Sequence, residues 1–467
     1  MFTSISTFIR KSSVASLIAL TGFLAAPYSQ AATIAIIDSG TDMLHNDISP
    51  KAWINPVEIA GNSRDEDGNG YQDDIHGWNF AEGNAEVIDY SYLGTLTEDI
   101  RRFFQIQTDA MLGTITEEDL AWARAQLQDE NFIKQISIYG NFMHGTHVGG
   151  IAIEGVDEAK LLAVKLIPTE VKLPGQEDAK SNAEQDKGVK MFLLKQALGA
   201  LAKQQMLQME EIAAYVAGHK SDVANGSFGT GWPQATTIVK TIAQTVWKDI
   251  TEEEVAEAAH HFFAKLIEHG EMMTAAAPNT LFVFAAGNDG LDNDTYPASP
   301  TNLQSDNVIS VAATLSDVAI APFSNYGKTM VDVAAPGVAI ESAVPGNNYL
   351  KVSGTSQAAP FVAQVATAMK SINEKLTPGQ MRTLIMETVD KKAFLADKVV
   401  TGGMVNRERA VRAAELALTH SLADAIAQSK KEVKAQRSTK KNISLGNLVP
   451  DLKDFVLPLQ NSFIIRK

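Results

Sequence analysis

Three short segments of the 467-residue sequence carry side chains that together could perform nucleophilic catalysis. The segments are residues 36–42 (IIDSGTD), 144–150 (HGTHVGG) and 353–360 (SGTSQAAP). A serine hydroxyl is a poor nucleophile at neutral pH, so it needs an imidazole as general base and a carboxylate that fixes the tautomer of that imidazole. Ser356, His144 and Asp38 supply these three groups. Each segment alone is weak evidence, but their conjunction predicts a catalytic triad.

These side chains must be positioned by an alternation of strands and helices. Five short apolar runs are nearly continuous in hydrophobicity, as strands buried on both faces are; they are residues 33–38, 161–167, 281–286, 308–314 and 331–335. Thr251 and Thr377 begin capping boxes, and Gly270 is expected to end the helix that follows Thr251. The small residues after His144 let a helix start close to neighbouring backbone. The pattern predicts an α/β fold whose parallel sheet is covered by helices on both faces, with Asp38 at the end of a strand.

The three segments resemble the motifs of the subtilisin-like serine proteases, or subtilases. The family patterns D-[ST]-G-x-[DN], H-G-T-H-V-x-G and G-T-S-x-A-A-P are all present, and their order along the chain, Asp then His then Ser, is that of subtilisin. The resemblance implies a three-layer subtilisin-like fold with a mostly parallel central sheet of about seven strands and helices on both faces. Gly149 and Gln357 stand where the family more often has Ala and Met.

The resemblance also implies a role for each catalytic residue. His144 is expected to take the proton of Ser356 as Ser356 attacks a scissile carbonyl, while Asp38 orients the imidazole. Asn288 ends the segment AAGN, which resembles the family's oxyanion segment. Its side-chain amide and the backbone N–H of Ser356 are therefore the expected donors to the oxyanion.

A further set of residues is expected to form the walls of the substrate site. By resemblance these are Ser227, Phe228, Gly229, Ala285, Ala286, Gly287 and Thr295. Thr295 should lie near the bottom of the primary specificity pocket. No acidic residue is evident at these walls in the sequence, so a basic substrate side chain would lack a partner. We therefore predict a preference for small or medium apolar side chains.

The long connection between Asp38 and His144 contains an acidic loop, residues 65–74 (DEDGNGYQDD). Oxygen side chains at its first, third and fifth positions and Gly at its sixth resemble the start of an EF-hand calcium loop, in which position seven supplies a backbone carbonyl. The twelfth position is His76, which excludes a complete EF-hand. The alternative is a solvated acidic turn. We expect a structural Ca²⁺ whose ligands come from Asp65, Asp67, Asn69, Tyr71, Asp73 and Asp74, with Asp73 or Asp74 replacing the missing bidentate Glu.

Composition limits the other functions that this chain could have. The absence of Cys excludes a disulfide scaffold, a thiolate metal site and a cysteine nucleophile. A net charge of -15 argues against a nucleic-acid partner, because affinity for nucleic acid rests on neutralising phosphates. Arg10 and Lys11 precede an uncharged apolar stretch at residues 14–26 and a small-x-small site ending at Ala31. This arrangement is typical of a cleaved secretory signal, and the stretch is too short to span a membrane.

The sequence thus divides into a signal peptide, a catalytic domain and a tail. The predicted signal peptide is residues 1–31, the subtilisin-like peptidase domain is residues 32–420, and a basic C-terminal extension is residues 421–467. The peptidase domain is expected to carry helical insertions near residues 95–139, 169–220 and 233–279. The insertions are expected near the cleft entrance, and the extension is expected to begin as a flexible linker. Cleavage after Ala31 leaves little room for the N-terminal prodomain that subtilases usually carry. Either the chain folds without a prodomain, or another segment, such as the basic tail, assists folding in its place.

Taken together, these observations predict an exported endopeptidase, periplasmic or extracellular, that acts on protein or peptide substrates through an acyl-enzyme. It would need no cofactor for catalysis and would keep no membrane span after signal cleavage. One alternative is a catalytically inactive subtilase-fold protein that holds peptides in the cleft, although such a binder has no need of a complete triad and Asn288. A second alternative is an esterase, which would share the triad.

Overall fold

The structure, a computed structural model, describes residues 31–170, 187–244, 247 and 249–435. The predicted signal peptide, residues 1–31, lies outside the described residues apart from Ala31, and so does the last part of the C-terminal extension, residues 436–467. None of the helices within the described ranges is both long enough and apolar enough to cross a membrane.

Strands and helices alternate along the described chain. The strands are β1 Thr33–Asp38, β2 Gly77–Asn79, β3 Lys160–Lys165, β4 Val223–Gly226, β5 Leu281–Ala285, β6 Val308–Leu315, β7 Ala319–Ile320, β8 Val333–Pro336, β9 Ile340–Val344, β10 Asn348–Val352, β11 Asp390–Lys391 and β12 Gly403–Met404. The helices are α1 Glu98–Leu112, α2 Glu117–Gln126, α3 Glu130–Ile153, α4 Lys187–Gly218, α5 Trp232–Gln244, α6 Glu252–Ala276, α7 Thr355–Ile372, α8 Pro378–Glu387, α9 Arg407–Leu416 and α10 Leu422–Glu432. Each of the five predicted apolar runs overlaps a strand.

The central sheet has the strand order β11-β12-β8-β6-β5-β4-β1-β3-β2, with β7 paired to β6. Within this sheet, as far as the structure describes it, the β6–β7 and β11–β12 pairs are antiparallel and the others are parallel. β9 and β10 form a separate antiparallel pair. The predicted mostly parallel α/β fold is confirmed, but the sheet in these residues has ten strands instead of about seven. Three of the additional strands, β7, β11 and β12, are two residues long, and runs this short leave no periodic signal in a sequence.

Helices cover both faces of the sheet. Side chains alternate between the two faces of a strand, so β1 contributes to two separate cores. Ile34 and Ile36 belong to a core shared with α3, α7, α8 and α9. Ala35 and Ile37 belong to a core shared with α4, α5 and α6. The five last residues of β1 are all buried, which places Asp38 at the carboxyl edge of a sheet that helices enclose.

One helix of the predicted insertions, α4, is much longer than the strand into which it leads. α4 has 32 residues and is therefore about 48 Å long, whereas β4, into which it leads, has four residues and spans about 13 Å. Because α4 ends at Gly218, close to the first residue of β4, its excess length extends on the side where Asp38 lies. α6 packs along α4, with ion pairs Lys187–Glu254 and Lys195–Glu257 on their surface.

Two details of the helices differ from the expectation. Thr251 and Thr377 do form capping boxes, but the first helix continues through Gly270 to Ala276. A Cβ at Gly270 would lie 2.6 Å from a methyl carbon of Leu303, so this glycine is required by close packing and does not end the helix. The second difference is α10, which packs against α9 where a flexible linker was expected; Arg412 of α9 forms an ion pair with Glu432.

Candidate active site

Asp38 and His144 form a buried pair at the carboxyl edge of the sheet. Asp38 ends β1, and one oxygen of its carboxylate, Oδ1, lies 2.7 Å from Nδ1 of His144 and 2.7 Å from the backbone N of Ser39. Asp38 is fully buried and His144 is 8% exposed. A carboxylate only accepts hydrogen bonds, so Nδ1 carries the proton and Nε2 keeps its lone pair free to accept one. The pair therefore has the geometry of an oriented general base.

A close contact between two glycines sets the distance between β1 and the helix that carries His144. A Cβ at Gly145 would lie 2.3 Å from the carbonyl oxygen of Gly40. The small residues of the motif thus allow close approach, as expected, but the expected start of the helix was wrong. α3 begins at Glu130, after the cap Asp129, so His144 lies within the helix. The insertion has lengthened this helix on its N-terminal side.

Gly145→Ala is expected to lower both stability and activity. Overpacking at a buried site costs about 1–3 kcal/mol of unfolding free energy, and a catalytic group displaced by about 1 Å can lose about 10²-fold in rate. Chemical denaturation and kcat on a peptide substrate measure the two effects. The matched control is Gly199→Ala, inside α4, where the nearest atom to a new Cβ is 3.9 Å away and the helix should gain about 1 kcal/mol. Equal stability of the two variants would contradict the contact.

Ser356 lies in the first turn of α7, across the sheet edge from His144. It is 3% exposed, and its hydroxyl donates to the carbonyl oxygen of Ser227 at 3.2 Å. The hydroxyl of Ser227 donates in return to the carbonyl of Ser356 at 3.0 Å. Within the described residues, no hydrogen bond joins Ser356 to His144. Catalytic hydrogen bonds are often long or poorly aligned in the absence of substrate, so the contact of Ser356 with Ser227 does not rule out a role as nucleophile.

Asn288 follows the end of β5 and faces the start of α7. Its Oδ1 accepts from the backbone N–H of Thr355 at 2.9 Å and from the hydroxyl of Thr355 at 2.8 Å. These two bonds fix the orientation of the amide, and a Cβ at Gly354 would come 3.4 Å from Nδ2 of Asn288. The first N–H groups of a helix lack intrahelical acceptors, so Asn288 and the backbone of Ser356 can form two convergent donors.

His147, the second histidine of the motif, is part of the protein interior. It is fully buried one turn after His144, and its Nε2 lies 3.1 Å from the carbonyl oxygen of Leu350 in β10. Burial lowers the pKa of His147 to about 4, because desolvation disfavours the charged ring. At neutral pH this ring is therefore uncharged, and His144 is the histidine of the motif that faces a carboxylate.

The predicted wall residues follow β4 and β5, which are neighbours in the sheet. Six of the seven are buried, namely Ser227, Phe228, Gly229, Ala285, Ala286 and Gly287. Thr295 is exposed in a turn, where its N–H donates to the carbonyl of Asp292. The adjacent ring of Tyr296 contacts Trp232, the first residue of α5, at 5.4 Å between centroids. The insertion that contains α5 therefore reaches the predicted pocket region.

An acidic residue lies close to the segment that follows the first predicted wall. Asp289 follows Asn288, and its Oδ2 lies 2.6 Å from where a Cβ of Gly231 would be. Gly231 comes two residues after the wall formed by Ser227, Phe228 and Gly229. Burial raises the pKa of Asp289. The preference for small or medium apolar side chains stays a prediction, and Asp289 is a nearby acid that it did not take into account.

The acidic loop brings together two of its predicted ligands and one carboxylate from outside. Oxygen atoms of Glu58, Asp65 and Asp67 all lie within 4.8 Å of one another. Asn69 lies beside them, since its N–H is 3.1 Å from Oδ1 of Asp65 and 3.0 Å from Oδ1 of Asp67. Tyr71 donates its N–H to Oδ1 of Asn69. Glu58 could not be found from the loop spacing, because it precedes the loop.

Asp73 and Asp74 lie outside the group of carboxylates that converge in the described residues, so their predicted part as a bidentate ligand stays a prediction. Asp73 accepts from the N–H groups of Asn62 and Ser63. Asp74 is buried and accepts from Tyr215 in α4 at 2.8 Å, and it also lies 3.2 Å from Nε2 of His219. Burial alone would raise the pKa of Asp74, but the hydrogen bonds that it accepts hold that pKa below its usual value. Both residues fix the loop to its surroundings.

The chain is similar in sequence to several proteins that are named as proteases. The chain is 26% identical over 401 residues to subtilisin-like protease 1 of Plasmodium vivax, an alignment that covers 82% of this chain and 47% of that protein. It is 38% identical over 139 residues to alkaline elastase YaB of Bacillus sp. (strain YaB), covering 30% and 34%. It is 34% identical over 139 residues to subtilisin BL of Lederbergia lenta, covering 30% and 49%. The chain thus spans about half or less of the length of these relatives.

Two solved structures and one protein family also match the chain. A cold adapted subtilisin-like serine proteinase aligns with a TM-score of 0.39 and 19% identity, over 81% of this chain and 88% of its own. A structure described as the basis of subtilase cytotoxin SubAB assembly aligns with a TM-score of 0.45 and 17% identity, over 86% and 92%. Residues 29–409 match the Subtilase family, and the chain therefore belongs to this family.

Proposed function

We propose that the protein is an exported serine endopeptidase that hydrolyses peptide bonds in protein or peptide substrates. The observation that carries the proposal is the 2.7 Å contact between Asp38 and His144, opposite Ser356 in the first turn of α7. Subtilase relatives are named as proteases, which supports the same reaction class. Export to the periplasm or the extracellular space rests on the leader at residues 1–31.

The proposed reaction has two halves, in which an acyl-enzyme is first formed and then hydrolysed. Ser356 turns from Ser227 to His144, gives its proton to Nε2 and forms a bond to the scissile carbonyl carbon, while Asp38 stabilises the imidazolium. The carbonyl oxygen becomes an oxyanion that Asn288 and the N–H of Ser356 bind. His144 then protonates the leaving amine, and the acyl-enzyme remains. In the second half, water gives a proton to His144 as its oxygen attacks the ester carbonyl carbon. His144 then returns a proton to the oxygen of Ser356 as the bond between that oxygen and the acyl carbon breaks, which releases the acid.

One experiment separates the peptidase from the peptide-binding protein and the esterase. The purified full chain is incubated with an unfolded protein, and new α-amino groups are counted over time. A matched peptide amide and peptide ester are assayed alongside. A peptidase produces new amino termini and turns over both the amide and the ester, whereas an esterase turns over only the ester. A peptide-binding protein turns over neither substrate, and either of these last two results would overturn the proposal.

We further propose that the acidic loop binds a structural Ca²⁺. The donor set fits this ion, because the carboxylates of Glu58, Asp65 and Asp67 converge, and Asn69 and the backbone carbonyl of Tyr71 add neutral oxygens nearby. Three carboxylates this close repel one another without a cation. A bound ion would remove that repulsion and fix the chain between Asp38 and His144, with no part in the chemical step.

Glu58→Gln is expected to abolish the response of the protein to a calcium chelator. Binding to the native state alone stabilises by about 2.7 kcal/mol at a hundredfold excess of free Ca²⁺ over Kd. Thermal unfolding with and without chelator measures this difference in wild type. The control is Glu66→Gln, because Glu66 accepts from Ile59 and Asn62 and lies outside the convergent set. A full chelator response in Glu58→Gln would show that the ion, if bound, lies elsewhere.

A further inference from the structure

A groove of about 420 Å³ lies between the loop that follows α3, the last turn of α7 and one side of α9. Ser371 and Ile372, at the end of α7, belong to its walls. Because an α-helix rises about 1.5 Å per residue, Ser371 lies about 22 Å from Ser356 along this helix. The groove is therefore separate from the proposed active site.

The surface inside the groove is mostly apolar. Val156, Ala368 and Val411 contribute to it, together with Ile372, which is 38% exposed. An apolar cavity of about 150 Å³ can hold a benzene ring, so this groove has room for more than one aliphatic side chain. Burial of such side chains removes apolar surface from water, which favours an apolar occupant.

The charged side chains around this apolar surface are mainly acidic. Two guanidinium groups line the groove against four carboxylates, which belong to Asp157, Glu158, Glu408 and Glu415. Glu415 pairs with Arg412 at 2.6 Å. The other three carboxylates are exposed, and within the described ranges no ion pair joins them to another side chain. An occupant that is basic as well as apolar would therefore complement the walls.

The described part of the chain ends beside this groove. Arg412, one of the lining residues, pairs with Glu432 at 2.5 Å, and the carbonyl oxygen of Val433 accepts from Nε of Arg409 at 3.0 Å. The last described residue is Ala435. Residues 436–467 thus continue from a point next to α9, which forms one wall of the groove. A stretch of 14 residues can span about 46 Å, which is ample to reach it.

The first residues beyond this point, 436–449 (QRSTKKNISLGNLV), have the complementary composition. Their first half contains three basic residues and no acidic one, and their second half contains four aliphatic residues. We propose that residues 436–449 bind in this groove of their own chain, with the basic side chains near the unpaired carboxylates and the aliphatic side chains on the apolar surface. A tethered segment has an effective concentration of about millimolar, so individually weak contacts suffice.

The test is digestion by trypsin of the full chain with Ser356→Ala, which prevents self-cleavage, so that the result does not depend on peptidase activity. Mass spectrometry follows cleavage after Arg437, Lys440 and Lys441 and compares it with cleavage of a synthetic peptide of residues 435–449. We expect cleavage at least tenfold slower in the protein, at every protein concentration. Equal rates would overturn the proposal. Protection that appears only when the protein is concentrated would also overturn it, because the occupant would then be a second copy.

Variants locate the binding site. Glu158→Arg replaces a carboxylate of the groove with a cation, and Ile372→Gln removes exposed apolar surface from it. Each should speed cleavage of residues 436–449 at least fivefold, and a melting curve shows that the variant is folded. The matched control is Glu271→Arg, an exposed position of α6 on the opposite face of the sheet, which should leave the rate unchanged. Full protection in both groove variants would show that the segment does not bind there.

Discussion

Ser356→Ala is expected to lower kcat for a peptide substrate by about 10⁶-fold, the loss found on removing the triad serine of subtilisin, itself a subtilase. The physical reason is that no other group at this site can form the acyl-enzyme. The N–H of residue 356 and Asn288 remain, so residual catalysis over water should persist. The measurement is kcat under saturating substrate, together with a melting curve, because removal of one hydroxyl should leave the fold intact.

The control for this variant is Ser371→Ala, near the other end of the same helix, where the hydroxyl bonds to the carbonyl of Thr367. This change removes the same atom from α7 and should leave kcat within about twofold, since surface substitutions rarely propagate to a site. Peptide cleavage that survives in Ser356→Ala at a comparable rate would show that Ser356 is not the nucleophile.

Asp38→Asn is expected to lower kcat by about 10⁴-fold while leaving substrate affinity nearly unchanged. An Asn side chain can present its amide N–H to Nδ1 of His144, which reverses the tautomer and places the imidazole proton on Nε2. That nitrogen could then no longer accept the proton of Ser356. The measurement is kcat and KM on one peptide, and the loss should appear in kcat.

The matched control here is Asp47→Asn. Asp47 follows Asp38 in the same stretch of chain after β1, but it is exposed and accepts from the hydroxyl of Tyr349 at 2.8 Å. Its neutralisation should leave kcat close to that of wild type. If the two variants lose similar activity, the contact between Asp38 and His144 does not have the orienting role argued for it.

Much of the sheet and the positions of the catalytic residues could be predicted because their signals are local. Each apolar run that forms a strand is continuous in the sequence, and Asp38, His144 and Ser356 each lie inside a motif of adjacent residues. The rule that the carboxyl ends of parallel strands share one edge applies to Asp38, which ends β1, and to Asn288, which follows β5. His144 and Ser356 lie instead on α3 and α7. The structure places Asp38 and His144 in contact, which agrees with that reasoning.

Other features were missed because they depend on contacts between distant segments. Gly270 has the local signature of a helix end, but its contact with Leu303 decides its role. Glu58 joins Asp65 and Asp67 only after the chain folds back. Local patterns predict elements and motifs, whereas close packing and convergent carboxylates require the tertiary structure.

The most direct test of the proposed activity is labelling with a fluorophosphonate probe, which reacts with a serine hydroxyl only when that hydroxyl is activated. The native protein is incubated with the probe, its intact mass is measured, and the modified peptide is sequenced. The proposed mechanism predicts one adduct on Ser356 in wild type, and none in His144→Ala at the same exposure, because the general base is absent. A wild-type protein that stays unlabelled at Ser356, or an adduct formed equally in His144→Ala, would contradict it.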